Sequence, residues 1–280
     1  MLKRAFNGLL ALTGKEFHPS ELYLGWLHTR LWPLASLIVY ILFRAPIRPW
    51  RGMALLRYRG TTLALPPEEF PIFREVFVHS MYDRAHRVDR DNVVIDVGAH
   101  IGTFSVRAAK AAGENGTVVA VEPGPDQVAV LSENVRLNGL TNVVVVPRAA
   151  GSRPGTGKLF LTDRLCTYST INATDRAVDI RVDTLDSIVR ELELPRVDFI
   201  KIDAEGAELD VLVGAKSVLS QPGVKLCIAA YHKLPDGTPQ LAGILSYLES
   251  LGASVVVDWE TTPGSPLVYA VTGQPADVLS

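Results

Sequence analysis

From residue 92 onward, short apolar runs alternate with stretches whose apolar residues recur at helical spacing. Three runs are strand-like, and each of the two intervening stretches ends at a glycine, Gly113 or Gly139. Three strands joined by two helices make a βαβαβ unit, which requires a parallel sheet with right-handed crossovers. The pattern therefore predicts an α/β fold, with strands NVVIDV (92–97), TVVAVE (117–122) and NVVVVP (142–147) and helices over 101–112 and 125–138.

The same alternation resumes in the second half of the chain. Residues 151–182 interrupt it; they are rich in Gly, Thr and Asp, and we interpret them as an insertion over one edge of the sheet, with strand candidates KLFLT and AVDIRV. About six residues, including Pro263 and Gly264, separate the last two strands, so these must pair antiparallel. After a helix from Thr184, the predicted elements are VDFIKID (197–203), a helix over 207–219, VKLCIAAY (224–231), a helix over 238–251, SVVVDW (254–259) and PLVYAVT (266–272).

The organisation changes near residue 52. ALLRYRGTTLAL (54–65) predicts a short hairpin that turns at Arg59-Gly60, and EEFPIFREVFVHSMY (68–82) has helical apolar spacing. We therefore predict two parts, a basic and apolar N-terminal helical extension over 1–52 and a main domain over 53–280.

Charge is distributed unevenly. The net charge is −2, yet residues 1–60 hold nine Lys and Arg against Glu16 and Glu21, a net of +7 that leaves −9 for the rest. The overall net charge of −2 gives no indication of a nucleic-acid partner. A hydrophobic content of 48% is enough to fill a sizeable core, which favours a globular enzyme or binding domain.

One apolar run, LWPLASLIVYILF (31–43), lies within the basic extension. Thirteen residues with a proline near the start are too few for a membrane span, which needs about 20. Two interpretations stay open: a buried helix packed on the main domain, or a segment lying in a membrane interface through residues 1–60. Cys166 and Cys227 lack the spacing of a disulfide framework or a zinc site and fit a reducing cytosol. We expect a cytoplasmic protein, membrane-associated under the second interpretation.

The first strand ends in DVGAHIG (96–102), where an open α/β sheet binds its ligands. Gly98 and Gly102 allow a tight turn, but His100 occupies the place where a dinucleotide-binding loop has a glycine, so a pyrophosphate would be crowded. Glu122 ends the second strand, where a carboxylate can accept hydrogen bonds from both hydroxyls of a ribose. Asp96 would repel a pyrophosphate and favour an ammonium group. These residues predict a nucleoside with a positively charged tail.

Several segments in the same order resemble the FkbM-type S-adenosylmethionine-dependent methyltransferases: VVIDVGAHIGTFSVRAAK, VVAVEPGPDQVAVLSENVRLNGLTNVVVVPRAAG, TLDSIV and VDFIKIDAEGAELDVLVGA. The resemblance covers roughly residues 68–272 and implies a Rossmann-like class I methyltransferase, with a mostly parallel seven-stranded sheet whose last strand is antiparallel. It also implies S-adenosylmethionine as cofactor. The cofactor-binding positions it implies are Asp96, Gly98, Ala99, His100, Gly102, Glu122, Pro123, Arg148, Ala149 and Asp203.

The segment FIKIDAEG places three charged residues within and just after a central strand. Lys201 would be costly to bury unpaired, so we expect a partner such as Asp203 or Asp96. The resemblance gives Asp203 and Glu205 positions facing the methyl donor or its acceptor, while a structural ion pair is the alternative for Lys201. No third metal ligand is evident in the sequence beside Asp203 and Glu205, so we predict no metal site.

The next strand ends in AAYHK, which brings Tyr231 and His232 to the same edge of the sheet. His232 is the preferred general base, because an imidazole with an ordinary pKa near 6.5 can accept a proton at neutral pH. A loop histidine that only lines the pocket is the alternative.

Taken with the resemblance, these residues predict transfer of a methyl group to a hydroxyl of a small molecule or glycan. One alternative is an NAD-dependent dehydrogenase, against which His100 and the closing hairpin count. The other is a non-catalytic S-adenosylmethionine-binding protein docked on a membrane.

Overall fold

The computed structural model describes residues 47–50, 53–66, 69–160, 177–234, 236–259 and 265–273. The chain divides into two compact units, Met1–Pro71 and Ile72–Ser280, whereas the sequence predicts a boundary near residue 52. The apolar run over 31–43 and Cys166 lie outside the described residues. Among the described helices, none combines the length and the apolar character needed to cross a membrane.

In the first unit, three strands form an antiparallel sheet in the order β1-β2-β3. Arg59 and Gly60 join the second strand to the third, and both have positive φ angles, 47° and 77°. Two consecutive residues in this conformation match the right-handed twist of a hairpin. The predicted hairpin is confirmed, and the strands are β1 (Ile47–Trp50), β2 (Met53–Tyr58) and β3 (Thr61–Leu65).

The second unit is built on a seven-stranded sheet in the order β12-β13-β11-β10-β4-β5-β6. The pairs β4·β5, β5·β6, β10·β4 and β10·β11 are parallel, whereas β13 is antiparallel to both of its neighbours. The predicted parallel sheet with a closing antiparallel hairpin is therefore confirmed. Its strands are β4 (Val93–Val97), β5 (Thr117–Val121), β6 (Val143–Val146), β10 (Phe199–Ile202), β11 (Lys225–Ala229), β12 (Ser254–Asp258) and β13 (Leu267–Val271).

Residues 151–182 contribute to a small separate sheet in the order β7-β9-β8. Its second and third strands along the chain pair antiparallel, and β7 pairs parallel with β9. The two strand candidates of the insertion are confirmed where they are described, while residues 161–176 lie outside the described part. The strands are β7 (Ala149–Ala150), β8 (Gly155–Phe160) and β9 (Ala177–Asp183).

Apolar residues cover both faces of the large sheet, because alternate residues of each strand point to opposite sides. On β4, Val94 packs with Phe104 in one cluster, and Ile95 packs with Leu185 in the other. Such two-sided burial is typical of parallel sheets. The helices are α1 (Phe70–Phe73), α2 (Thr103–Ala112), α3 (Pro125–Leu137), α4 (Leu185–Glu191), α5 (Glu208–Val213), α6 (Lys216–Leu219) and α7 (Leu241–Ser250).

Two helical predictions differ from the structure. The helix expected over 207–219 is two helices, and the first ends at Gly214. A Cβ on Gly214 would be 2.0 Å from the Gly151 carbonyl oxygen, so this position requires glycine, which is a poor helix former. Asp186 then caps the second helix by accepting hydrogen bonds from the Ser217 and Val218 backbone. In place of one helix over 68–82 there is α1, a π-helical turn over Arg74–Val78 and a 3₁₀ turn over Met81–Asp83.

Candidate active site

The loop between β4 and α2 lies against the end of β10. Gly98 has a φ of 70°, and a Cβ there would be 1.8 Å from the backbone oxygen of Asp203. Gly102 has a φ of 78° and packs on Leu131 of α3, whose Cγ would be 2.9 Å from an added Cβ. Glycine is required at Gly98 because no side chain fits between the two strand ends. The tips of β4 and β10 are thereby held in direct contact.

Glu122 follows β5 and holds this loop from the other side. Its Oε2 accepts a hydrogen bond from the backbone N–H of His100, and its Oε1 accepts one from Gly124, each at 2.8 Å. Burial raises the pKa of Glu122 to about 7, and the two backbone hydrogen bonds and Lys201 offset part of that rise. A carboxylate has about four lone-pair directions. Glu122 can therefore shape the loop and still accept hydrogen bonds from a ligand.

Lys201 is buried and paired with Asp96, which lies directly opposite it on β4. Its Nζ is 3.1 Å from Asp96 Oδ1, donates to the Gly98 carbonyl at 2.8 Å, and lies 5.1 Å from the centre of the Tyr82 ring. Burial alone would lower the pKa of Lys201, but Asp96 and Asp203 outweigh it and raise that pKa, so the ammonium stays charged. The predicted pairing is confirmed, and these contacts favour the structural role for Lys201.

Asp96 is fully buried, and its Oδ2 accepts a hydrogen bond from the Ser105 hydroxyl at 2.5 Å. Its Oδ1 forms the ion pair with the ammonium of Lys201. The negative charge of Asp96 thus has a positive partner inside the protein, and contact of Asp96 with the cofactor stays a prediction.

Asp203, just after β10, reaches the open side of the strand tips. Its Oδ2 accepts a hydrogen bond from the Tyr82 hydroxyl at 2.7 Å. Its Oδ1 lies 3.8 Å from Nε2 of His232, which follows β11. Burial and the adjacent Asp203 raise the pKa of Tyr82 well above 10, so its hydroxyl remains a donor. Asp203 therefore links the strand tip to the segment that precedes β4.

His232 is fixed by Glu208, a completely buried carboxylate in the first turn of α5. The His232 Nδ1–H donates to Glu208 Oε1 at 2.7 Å. Glu208 also accepts hydrogen bonds from the backbone of Ala204 and Gly206 and from the Gln240 side chain. The imidazole orientation is consequently set by a rigid network, with Nε2 directed at Asp203 and Glu205.

The charge state of His232 differs from the expectation of an ordinary imidazole. Burial lowers its pKa, but the hydrogen bond to Glu208 and the charges of Glu208, Asp203 and Glu205 together raise it to about 9. At neutral pH the imidazole is therefore protonated on both ring nitrogens, and Nε2 must lose its proton before it can accept one from a substrate. The general-base role of His232 stays a prediction, and it requires that the imidazole first lose a proton.

Glu205 and Tyr231 border the same cluster. Glu205 has a φ of 50°, and its Oε2 lies 3.6 Å from His232 Nε2. Partial burial, with Asp203 and Glu208 nearby, raises the pKa of Glu205 to about 7. The centre of the Tyr231 ring lies 4.4 Å from the centre of the His232 ring. Burial, followed by the nearby charge of Asp203, raises the pKa of the Tyr231 hydroxyl above its usual value. Tyr231 therefore keeps its proton at neutral pH.

Arg148 and Ala149, predicted to contact the adenine, follow β6. The Arg148 guanidinium binds Asp183 at 3.2 Å and also Glu191 of α4, and Ala149 begins the small sheet. Contact with adenine stays a prediction for both residues. The ion pairs of Arg148 show a structural function in joining β6, β9 and α4.

Four residues of this network are absent from the predicted set: Tyr82, Ser105, Glu208 and Gln240. Glu208 had a signal in the sequence, since it lies in the same short segment as Glu205, in the first turn of the next helix. Tyr82 and Gln240 reach the site from remote segments, and no local pattern indicates them. The other predicted residues lie together at the tips of β4, β5, β10 and β11, among them Ala99, which is buried, and Pro123, between Glu122 and Gly124.

This sheet order, with its antiparallel β13 and a site at the carboxyl ends of the central strands, defines a class I methyltransferase. Residues 96–255 match the model of the methyltransferase FkbM domain, and the chain belongs to the FkbM methyltransferase family. The expected family and fold class are thereby confirmed.

Two sequence relatives and one solved structure illustrate the range of similarity. Methyltransferase 1 of Beauveria bassiana is 26% identical over 217 residues, which cover 67% of this chain and 83% of that protein. The hexuronic acid methyltransferase AglP of Haloferax volcanii is 31% identical over 147 residues, 51% of this chain and 57% of that protein. Fibrillarin of Aeropyrum pernix, solved with bound S-adenosyl-L-methionine, shares the fold with a TM-score of 0.50 and 16% identity, over 81% of this chain and 88% of that one.

Proposed function

We propose that this methyltransferase moves the methyl group of S-adenosylmethionine to a hydroxyl of a carbohydrate or other small molecule. One observation carries the proposal. A glycine loop closed by a carboxylate, Gly98–Gly102 with Glu122, lies beside the Asp203–His232 cluster at the tips of adjacent parallel strands. A nucleoside donor and a polar acceptor can therefore meet at one edge of the sheet.

On the donor side, Glu122 would accept hydrogen bonds from the ribose hydroxyls while it holds the backbone of His100 and Gly124. The loop that Gly98 packs against the end of β10 would bind the methionine part of the cofactor through its backbone. Lys201 keeps the tips of β4 and β10 aligned through Asp96 and the Gly98 carbonyl. These residues bind and orient the donor without exchanging protons with it.

On the acceptor side, methyl transfer is an in-line displacement, in which the acceptor oxygen attacks the methyl carbon and the sulfonium sulfur leaves. Alignment of the two groups supplies a large part of the acceleration. A hydroxyl must also lose its proton, and His232, Asp203 and Glu205 are the polar groups that face this region. The name of the relative AglP, a hexuronic acid methyltransferase, supports a sugar as acceptor.

The test uses S-adenosylmethionine labelled on its methyl group, with hexuronic acids and matched neutral sugars as acceptors. We expect label in a product that resists mild alkali, as a methyl ether does. An alkali-labile product would show methylation of a carboxyl group and overturn the hydroxyl assignment. Binding of the donor without turnover on any acceptor would support the non-catalytic alternative instead.

Replacing Glu122 with glutamine should weaken S-adenosylmethionine binding by roughly 1–3 kcal/mol, because a buried charged acceptor is lost. Calorimetric titration measures the change. Glu114→Gln, the same substitution at an exposed residue between α2 and β5, is the matched control and should bind as the wild type does. Equal affinity of the Glu122 variant and the wild type would remove Glu122 from the ribose site.

Cofactor affinity should also depend on pH through Glu122. Burial raises the pKa of Glu122 to about 7, while backbone hydrogen bonds and Lys201 oppose this and Asp96 adds to it. The charged form is the better acceptor, so affinity should rise by about tenfold from pH 6 to pH 8. Methylthioadenosine, which has the ribose but no amino-acid tail, is the suitable probe. A flat profile for wild type, or the same slope in Glu122→Gln, would contradict this.

A further inference from the structure

The Tyr82 side chain reaches the strand tips from the segment that precedes β4. It is buried, and its hydroxyl donates a hydrogen bond to Asp203 Oδ2 at 2.7 Å. The ring packs edge-on against Phe104 of α2, with 5.8 Å between the ring centres, and its centre lies 5.1 Å from Lys201 Nζ. Hydrogen bonds to a carboxylate are stronger than those between neutral groups. Tyr82 therefore restrains Asp203 as well as filling space in the core.

The chain on both sides of Tyr82 is itself fixed by two different elements. The Met81 carbonyl accepts a hydrogen bond from the Tyr269 hydroxyl of β13 at 2.6 Å. The Asp83 carboxylate forms an ion pair with Arg107 of α2 at 2.8 Å. The 3₁₀ turn that carries Tyr82 is thus tied to β13 and to α2, and the position of the Tyr82 hydroxyl is set by the fold.

Asp203 and His232 face each other at a distance too long for a hydrogen bond. Asp203 Oδ1 lies 3.8 Å from His232 Nε2, whereas a charge-assisted N–H···O bond is about 2.7–2.9 Å long. The imidazole is protonated at neutral pH, and an unrestrained carboxylate would move closer to such a cation. Asp203 is instead held by its other oxygen, which Tyr82 contacts at 2.7 Å and which lies 4.0 Å from Lys201 Nζ.

The other groups that face His232 do not bind Nε2 either. Glu208 of α5 accepts the hydrogen bond from Nδ1 at 2.7 Å. Glu205 Oε2 lies 3.6 Å from Nε2 on a half-exposed side chain, and the neighbouring Tyr231 contributes a ring 4.4 Å away, centre to centre. Among the described residues, Nε2 is therefore the nitrogen of His232 without a hydrogen-bond partner.

We propose that Tyr82 is a positioning residue: its hydroxyl holds Asp203 back from His232 and so keeps Nε2 open to an acceptor hydroxyl. Without that hydroxyl, Asp203 would turn toward the imidazolium and accept a hydrogen bond from Nε2. The new bond would occupy Nε2 and make its proton harder to remove. The catalytic consequence rests on the proposed function, whereas the arrangement of these three side chains does not.

Histidine NMR on the full chain, without donor or acceptor, measures the pKa of His232 and tests the proposal. Tyr82→Phe keeps the ring in place and removes only the hydroxyl. Closing the distance from 3.8 Å to about 2.8 Å at an effective dielectric constant of about 20 should raise the pKa of His232 by about 1, a roughly tenfold gain in proton affinity. His232→Asn identifies the resonance. Tyr247→Phe, at a half-buried residue of α7, is the matched control and should leave that pKa unchanged.

Asp203→Asn shows whether Tyr82 acts through Asp203. In this background Tyr82→Phe should leave the pKa of His232 unchanged, because no carboxylate is present to move toward the imidazole. Three results would overturn the proposal: an unchanged pKa of His232 in the folded Tyr82→Phe protein, a lowered one, or the same rise with and without Asp203.

Methyl transfer reports on the catalytic consequence separately. If His232 is the base, the rate should rise with pH as the imidazole loses its proton, and Tyr82→Phe should move this rise to higher pH by the same amount as the pKa of His232. A profile that stays in place while the pKa moves would overturn the catalytic consequence. Absence of transfer by the wild type would count against the proposed function, while the NMR result would still decide the role of Tyr82.

Discussion

Replacing Gly98 with alanine is expected to lower the free energy of unfolding by about 2–5 kcal/mol and to abolish S-adenosylmethionine binding. Two costs add. An L-residue in the left-handed region costs about 1–2 kcal/mol, and forcing an atom into a packed site costs about 1–3 kcal/mol or more. Here the added Cβ would be 1.8 Å from the Asp203 backbone oxygen, and backbone cannot rotate away as a side chain can. The tips of β4 and β10 must separate, which displaces the cofactor loop.

Gly139→Ala is the matched control for this prediction. Gly139 also has a positive φ, 62°, but nothing lies within 4 Å of an added Cβ. It should lose only the conformational cost, about 1–2 kcal/mol, and keep full cofactor affinity. Denaturant titration and calorimetry measure the two quantities. If Gly98→Ala were as stable as Gly139→Ala and bound cofactor normally, the close contact of the strand tips would be wrong.

Replacing His232 with alanine should slow turnover by about 10²–10⁴-fold and leave S-adenosylmethionine affinity unchanged. The reason is its position: His232 faces Asp203 and Glu205 on the proposed acceptor side, whereas Glu122 and the loop after β4 would form the donor side. Labelled methyl transfer gives the rate, and calorimetry gives the affinity. The general-base role requires this separation of effects.

Two further variants make the His232 result interpretable. His79→Ala removes an exposed histidine and should turn over at the wild-type rate. His232→Asn retains a donor for Glu208, so it should fold well even if the alanine variant is less stable. Full activity in His232→Asn and His232→Ala would exclude His232 as the general base.

The sheet could be predicted from the sequence because its buried strands are short, mostly apolar and separated by amphipathic helices. The break between α5 and α6 at Gly214 could not be predicted. It involves the carbonyl of Gly151, which is distant in the sequence, and the cap that Asp186 provides for α6. The segment over 68–82 has helical apolar spacing, yet it forms three short turns. Ser80, in the left-handed region with a φ of 53°, lies between the last two of them.

The site was predictable to the extent that chain topology brings strand ends together. Asp203 and His232 follow adjacent parallel strands, so their proximity follows from the fold. The sequence predicts Asp203 or Asp96 as the partner of Lys201, and the strand register, which places Asp96 opposite Lys201, selects Asp96. The support from Tyr82 and Gln240 comes from separate elements of the chain, which no local pattern reveals. The raised pKa of His232 follows from its hydrogen bond to Glu208 and from the neighbouring carboxylates.

We propose that the tips of β4, β5 and β10 form a methyl-donor site, and calorimetric titration of the purified protein with S-adenosylmethionine, S-adenosylhomocysteine and NAD tests this proposal. We predict one-to-one binding of the first two, lost in Gly98→Ala and weakened in Glu122→Gln, and no binding of NAD. Binding of NAD, or equal binding of S-adenosylmethionine by the wild type and both variants, would contradict the account.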